Sequence, residues 1–192
     1  MNLNQKLLAH GLRLEYITLG WNIVGCIVLA IVAYQARSVA LLGFGIDSVI
    51  EIFASIVVVW QLKAVHKNDE KKALRCIGTA FLFLAVYITV QSWLALTHAV
   101  HANQSIVGIV WLAGTCIAMF LLADGKAKVG KKLEHAVLLA EAKVTIVDGI
   151  LAGVVLLSLL LNMFFGLWWL DAIAGFVIAA YSIKEGLHAW HE

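Results

Sequence analysis

The sequence predicts an all-α, polytopic membrane protein with six transmembrane helices and both termini in the cytoplasm. Three observations carry that expectation. Of the 192 residues 62% are hydrophobic and 14% charged, with a mean hydropathy of +0.93. A soluble domain holds roughly 45–50% apolar and about 25% charged residues, so a fold of this length in water could not hide so much apolar surface. Six runs each approach the roughly 20 apolar residues that a helix needs to cross about 30 Å of hydrocarbon. The basic residues fall almost wholly in alternate connections, as the positive-inside rule requires.

The runs lie at about 14–35, 39–62, 74–97, 104–123, 136–161 and 168–188. Pro is absent and Gly occurs 15 times, which suits straight helices packed closely at small residues. Lys6 and Arg13 precede the first run; Lys63, Lys67, Lys71, Lys72 and Arg75 separate the second and third; Lys126, Lys128, Lys131 and Lys132 separate the fourth and fifth. The opposite connections hold Arg37 alone, with no Lys or Arg in HAVHANQS or NMFFGLWW. In the last of these, Trp168 and Trp169 fit a headgroup-level aromatic belt.

The chain therefore reads as one transmembrane domain, 1–192, in the cell (inner) membrane with the lipid bilayer as its solvent. No linker, low-complexity tract or internal repeat divides it. The last run stops about four residues before the final residue, so no soluble domain is expected to follow. The opening MNLNQKLLAHGLRLE lacks the short apolar core and cleavage site of a signal peptide. A net charge of +2 is too small to indicate nucleic acid. Cys26, Cys76 and Cys116 lie inside apolar runs without CxxC spacing, and are read as small hydrophobes.

An ionisable group at the bilayer centre costs on the order of 2.5–3.5 kcal/mol on insertion scales, so each one needs a reason. The second run holds Asp47 and Glu51, and the fifth holds Glu141 and Asp148; the third and fourth hold nothing comparable. Asp47 and Glu51 are four apart and share a helix face. Glu141 and Asp148 are seven apart, again on one face, roughly 10 Å from each other along the axis. Ionised and unpaired, neighbouring carboxylates repel in low dielectric. A divalent cation removes the repulsion, and shared protons remove it when no metal is bound.

The second helix runs inward and the fifth outward. Glu51 lies about twelve residues from the outer end of its run and Asp148 about thirteen from its own, so the two share a level near the midplane. Glu141 sits deeper, as a further ligand or on an access path. The candidate metal ligands are thus Asp47, Glu51, Asp148 and Glu141. The competing reading is that each acid pairs with a base to hold the bundle together. Lys143 is the base well inside an acid-bearing run, about 140° around the helix from Asp148, and it can snorkel to the cytoplasmic surface.

Other polar groups are open to two readings. Asn22 lies near the level of Glu51, to support it or to make an interhelical hydrogen bond. Ser48 and Thr145 bond to backbone or contribute an oxygen. Asp171 opens the sixth helix as an N-cap or an ionic group. Glu15 stands where the first helix leaves the cytoplasm and is expected at the interface. His98 with His101, and His188 with His191, are spaced by three and are read as solvated imidazoles.

The stretch SVALLGFGIDSVIE resembles the cation diffusion facilitators, proton-coupled exporters of zinc and related divalent metals. In that superfamily an acidic pair four residues apart follows a small-residue, Leu-rich run on helix two, which Asp47 and Glu51 match. Its helix five carries His-x-x-x-Asp, whose Asp matches Asp148, and WLDAIAGFVIA is similar to its last helix. The His position is Val144 here, and the cytoplasmic metal-binding, dimerising domain is missing, as in a compact six-helix branch that lacks it. The resemblance implies export of a divalent metal, zinc first and manganese or another divalent ion next. It also implies protons as the second substrate, a homodimer, and no tightly bound cofactor. All-oxygen ligand sets suit harder ions such as Mn²⁺. The alternatives are a non-transporting membrane protein that binds metal or modulates a partner, and an intramembrane enzyme. The last has neither HExxH nor GxSxG to support it, so no enzyme is expected.

Overall fold

The computed structural model describes residues 3–36, 39–63, 70–98 and 105–191. They form six helices and, among the described residues, no strand: α1 Leu3–Ala36, α2 Val39–Lys63, α3 Glu70–His98, α4 Ile106–Leu133, α5 Ala136–Phe165 and α6 Trp169–His191. The chain is an all-α polytopic membrane protein. Asn4–Gln35 of α1, Arg75–His98 of α3, α4 and α5 are each long and apolar enough to cross a bilayer. The connections at 37–38, 64–69 and 99–104, with Arg37, Lys67 and His101, lie outside the described residues.

Each apolar run becomes a helix, but α4 departs from expectation. Residues 124–133, expected in a cytoplasmic loop, continue it for ten residues beyond the apolar run. The helix opens on Ser105, whose Oγ accepts the Gly108 N–H at 3.1 Å. It closes where Glu134 turns left-handed (φ 52°) and the His135 N–H returns to Gly130 O at 3.0 Å. His135 Nδ1 then accepts the Leu138 N–H at 3.3 Å and starts α5. Only two residues separate the helices, so α4 and α5 form a tight antiparallel pair. At the far end α5 stops at Gly166 (φ 69°), the left-handed position that glycine takes without a Cβ clash.

The interior is more polar than the outside, as a lipid solvent demands. Glu15, Thr18, Asn22, Asp47, Ser48, Glu51, Ser55, Lys126, Glu141, Thr145 and Asp148 are all buried, whereas Leu121 and Phe165 are each 70% exposed. On α1 the buried stripe Gly11, Glu15, Thr18, Asn22, Gly25, Leu29 recurs every three or four residues, while Ile23, Val24, Ile27 and Ile31 face outward. With no aqueous phase to drive apolar surfaces together, close packing at small residues and interhelical hydrogen bonds hold such helices.

α1 packs on α2 and α4, α4 on α5, and α5 on α2; α3 and α6 pack on each other and lie against α2 and α5. The α3–α6 crossing depends on glycine. A Cβ at Gly78 would stand 2.8 Å from Gly186 O and 2.6 Å from Trp190 Cδ1, and one at Gly186 would stand 3.0 Å from Gly78 O. Trp190 also donates from Nε1 to Thr79 Oγ1 at 3.1 Å and lies under the Arg75 guanidinium, 5.9 Å from the ring centroid.

Gly78→Ala should therefore destabilise the purified protein by about 1–3 kcal/mol, the usual cost of overpacking. Gly20→Ala should not, because nothing lies within 4 Å of the added carbon. Thermal unfolding in detergent compares the two; equal melting temperatures would remove the glycine contact as the basis of this pairing.

Candidate metal centre

Helical period alone turns the acids inward. On α2 the buried positions Leu41, Phe44, Asp47, Ser48, Glu51, Ala54, Ser55 and Val58 fall on one face, and on α5 Glu141, Val144, Thr145, Asp148, Leu151 and Ala152 do the same. The two faces meet. Asp47, Glu51 and Asp148 are between 2% and 3% exposed. They line one cavity of about 10 Å³ with Val144 and with Ala80, Phe81 and Leu84 of α3, room for about one water-sized particle.

Asp148 lies within hydrogen-bonding reach of both Asp47 and Glu51. Two carboxylates can bond only where one holds a proton. As charged groups they have acceptors and no donor between them. Asp47 Oδ2, Glu51 Oε1 and both Asp148 oxygens are buried without a hydrogen-bond partner. Glu51 Oε2 is satisfied by Asn22 Nδ2 at 3.0 Å. Buried polar atoms are ordinarily paired, so four orphaned oxygens around one cavity mark a place for protons or a cation. Among the described residues no three His, Cys, Asp or Glu side chains are already gathered into a ligand set. The three acids thus share a cavity without closing on a point. Tyr87 of α3, whose hydroxyl is also buried without a partner, stands close enough to feel the Asp47 charge.

Glu141, the fourth candidate, does not line that cavity. Its Oε1 accepts from Lys126 Nζ at 3.1 Å and from Ser55 Oγ at 3.2 Å. Lys126 also donates to Thr145 Oγ1 at 3.0 Å and sits 3.2 Å from Glu15 Oε2. Lys126, Glu15 and Glu141 are each 0% exposed. Three expectations are corrected here. Lys126 lies in a helix and not in a loop, Glu15 is enclosed between helices and not open to its surroundings, and α4 does carry a buried charge. A base does meet Glu141, and it comes from a helix that the charge count had passed over.

Both residues carried a signal in the sequence. Met119, Leu122, Lys126 and Val129 continue one buried stripe of α4 past the end of its apolar run, while Lys128, Lys131 and Lys132 are exposed. Glu15 lies on the small and polar stripe of α1 that includes Asn22. Among the other polar groups, Asn22 makes an interhelical bond and supports Glu51 by the same contact. Ser48 donates to Phe44 O at 3.2 Å, and Thr145 donates to Glu141 O at 3.0 Å while accepting from Lys126. Asp171 is the third residue of α6 and not its cap; its side chain, like that of His191, lies outside the described residues. Cys26 and Cys116 are half-buried and Cys76 exposed, all as free thiols.

The profile of the cation efflux transmembrane domain matches residues 75–191, more than half of the chain. The chain belongs to the cation efflux family. The match runs from α3 to α6 and includes Lys126, Glu141 and Asp148, while Asp47 and Glu51 precede it. The chain is similar to an uncharacterized transporter of Methanocaldococcus jannaschii, at 29% identity over 85% of this chain and 62% of that protein. It is also similar to transmembrane protein 163 of Xenopus laevis, at 27% identity over 92% of this chain and 68% of that one. The chain thus spans less than two thirds of the length of the first relative. Cation efflux is transport, so the family is one of transporters and not of enzymes, and the chain is an integral, multi-pass membrane protein.

Partners that orient a metal-binding side chain typically change affinity 10–100-fold when removed. Asn22→Ala should accordingly weaken binding of a divalent ion to the purified protein by about 10–100-fold, with Ile23→Ala, on the outward face, as the neutral control. Calorimetric titration with Mn²⁺ reads both; an unchanged affinity in Asn22→Ala would detach Asn22 and Glu51 from the centre.

Proposed function

We propose that the chain exports a divalent metal ion from the cytoplasm in exchange for protons, with Asp47, Glu51 and Asp148 as the transport centre. The observation that carries this reading is the set of four carboxylate oxygens, buried without donors around one small cavity between α2, α3 and α5. Carboxylates must be deprotonated to bind metal, so metal and protons compete for the same oxygens. On the cytoplasmic side the ion displaces protons. On the outer side protons displace the ion, and rocking of helices about a fixed midplane site changes the exposure. The family's name supports the outward direction, and the positive-inside rule gives the orientation of the chain against which that direction is defined.

The donors suit a divalent ion, and they are all oxygen. Val144 stands, buried, where the resembled superfamily has a histidine, so no nitrogen ligand comes from that position. Zinc is the substrate the resemblance favours, and manganese is the ion that carboxylates and water favour. Glu141 belongs on the cytoplasmic side of the centre, held by Lys126. A second copy of the chain is the partner that the resemblance implies.

Two measurements test the reading. In proteoliposomes containing the purified protein, Asp47→Asn and Asp148→Asn should each lower Zn²⁺ and Mn²⁺ flux to the level of protein-free vesicles, while the variants still insert and elute as wild type does. Wild-type flux in the double variant would eliminate the centre. Imposing a pH gradient, acid on the side that receives the metal, should accelerate wild-type flux. Flux that ignores the gradient would remove proton exchange and leave uniport.

A further inference from the structure

Lys126 is the sole Lys or Arg buried in the interior among the described residues. Its ammonium sits in an oxygen cage assembled by three other helices: Glu15 of α1 at 3.2 Å, Glu141 and Thr145 of α5 at 3.1 and 3.0 Å, and Ser55 of α2 bonded to the same Glu141 oxygen. One ammonium faces two carboxylates. Glu15 Oε1 and Glu141 Oε2 remain buried with no hydrogen-bond partner. The cage therefore offers more oxygen than its lysine uses.

Stability does not account for this arrangement. A buried ion triad is often no more stable than well-packed apolar side chains of the same volume, and these three residues lie where apolar ones would suit a membrane helix. Position gives a better account. Ser55 is one turn along α2 from Glu51, and Glu141 is two turns along α5 from Asp148. The cage therefore lies roughly 6–10 Å from the Asp47, Glu51 and Asp148 cavity on the same two helix faces, towards the loop side rich in lysine. Lys126 stands close enough to act on the charges of Glu51 and Asp148.

We propose that the cage of Glu15, Glu141, Thr145 and Ser55 is a second divalent-cation site, held in this conformation by the Lys126 ammonium as a tethered substitute ion. Carboxylate and hydroxyl oxygens make it a site for a hard cation such as Mn²⁺. Ammonium and metal ion exclude each other from it. A long flexible stem lets the lysine head withdraw, and the exposed Lys128, Lys131 and Lys132 show how near α4 is to water at that end. The cage itself stands on its own geometry; its use as a station on the way to the transport centre rests on the export reading above.

The test is the number of Mn²⁺ ions bound per chain, measured by calorimetry on purified, monodisperse protein. Wild type should bind one ion and Lys126→Met two. Adding Glu15→Gln to Lys126→Met, which leaves the cage its original net charge but one carboxylate fewer, should return the number to one. In an Asp47→Asn/Asp148→Asn background the protein should bind none with Lys126 present and one with Lys126→Met. Should the methionine variant fail to purify, Lys126→Gln keeps an amide donor for Glu141 and is read in the same way. The same number of ions with and without Lys126, in both backgrounds, overturns the proposal. No ion in wild type but one in Lys126→Met would sink the transport centre and leave the cage standing.

Discussion

A charge placed in hydrocarbon has to be answered there, by an opposite charge, a proton or a bound ion. Among the described residues five carboxyl groups, Glu15, Asp47, Glu51, Glu141 and Asp148, share the interior of this bundle with one lysine. Their desolvation would be prohibitive for ions left single. The fold responds by putting all six on inward faces of α1, α2, α4 and α5, and by covering the outside with Ile, Leu, Val and aromatic side chains. What decides the architecture is where each charge finds its answer.

The two clusters draw on the helices differently. α2 and α5 contribute to both, which makes them the spine of the polar column. α1 and α4 supply the Glu15–Lys126 pair, and α1 also sends Asn22 to Glu51. α3 gives the upper cavity an apolar wall of Ala80, Phe81 and Leu84, and is itself bound to α6 by backbone approach at Gly78 and Gly186. The α3–α6 pair thus meets the carboxylates across an apolar surface, whereas the other four helices are cross-linked by ions and hydrogen bonds.

Much of this was legible beforehand because the solvent is so demanding. Six helices follow from run length, since only a helix or a closed barrel satisfies its backbone in lipid. Asp47, Glu51 and Asp148 follow from spacing, because four and seven residues are whole turns. Lys126 and Glu15 were missed for one common reason. Average hydropathy falls at the ends of a run, and both residues lie there, so each was assigned to loop or interface. A helix end can carry a buried face while its other faces are polar, and α4 does so at Lys126 between the exposed Asp124 and Lys128. The pairing itself joins residues 111 positions apart, Glu15 and Lys126, beyond the reach of any local pattern.

Charge counting along the column connects metal to protons. With these five carboxyls ionised and the lysine charged, the described residues of the interior carry four net negative charges, far more than a low-dielectric bundle holds without counterions. Protons or metal ions must supply the balance. Under the export reading a divalent ion that arrives takes over the charge of two protons, and one that leaves returns it. Exchange is then a consequence of neutrality in oil rather than an added device. Lys126 sets the scale of that balance, because in this conformation its ammonium places one positive charge at the inner end. Its neighbours Glu15 and Glu141 are left with one further charge to be met, and Asp47, Glu51 and Asp148 with three. The cluster of Asp47, Glu51 and Asp148 therefore has the greater deficit, which under the export reading would draw a divalent ion past the lysine and towards that cluster.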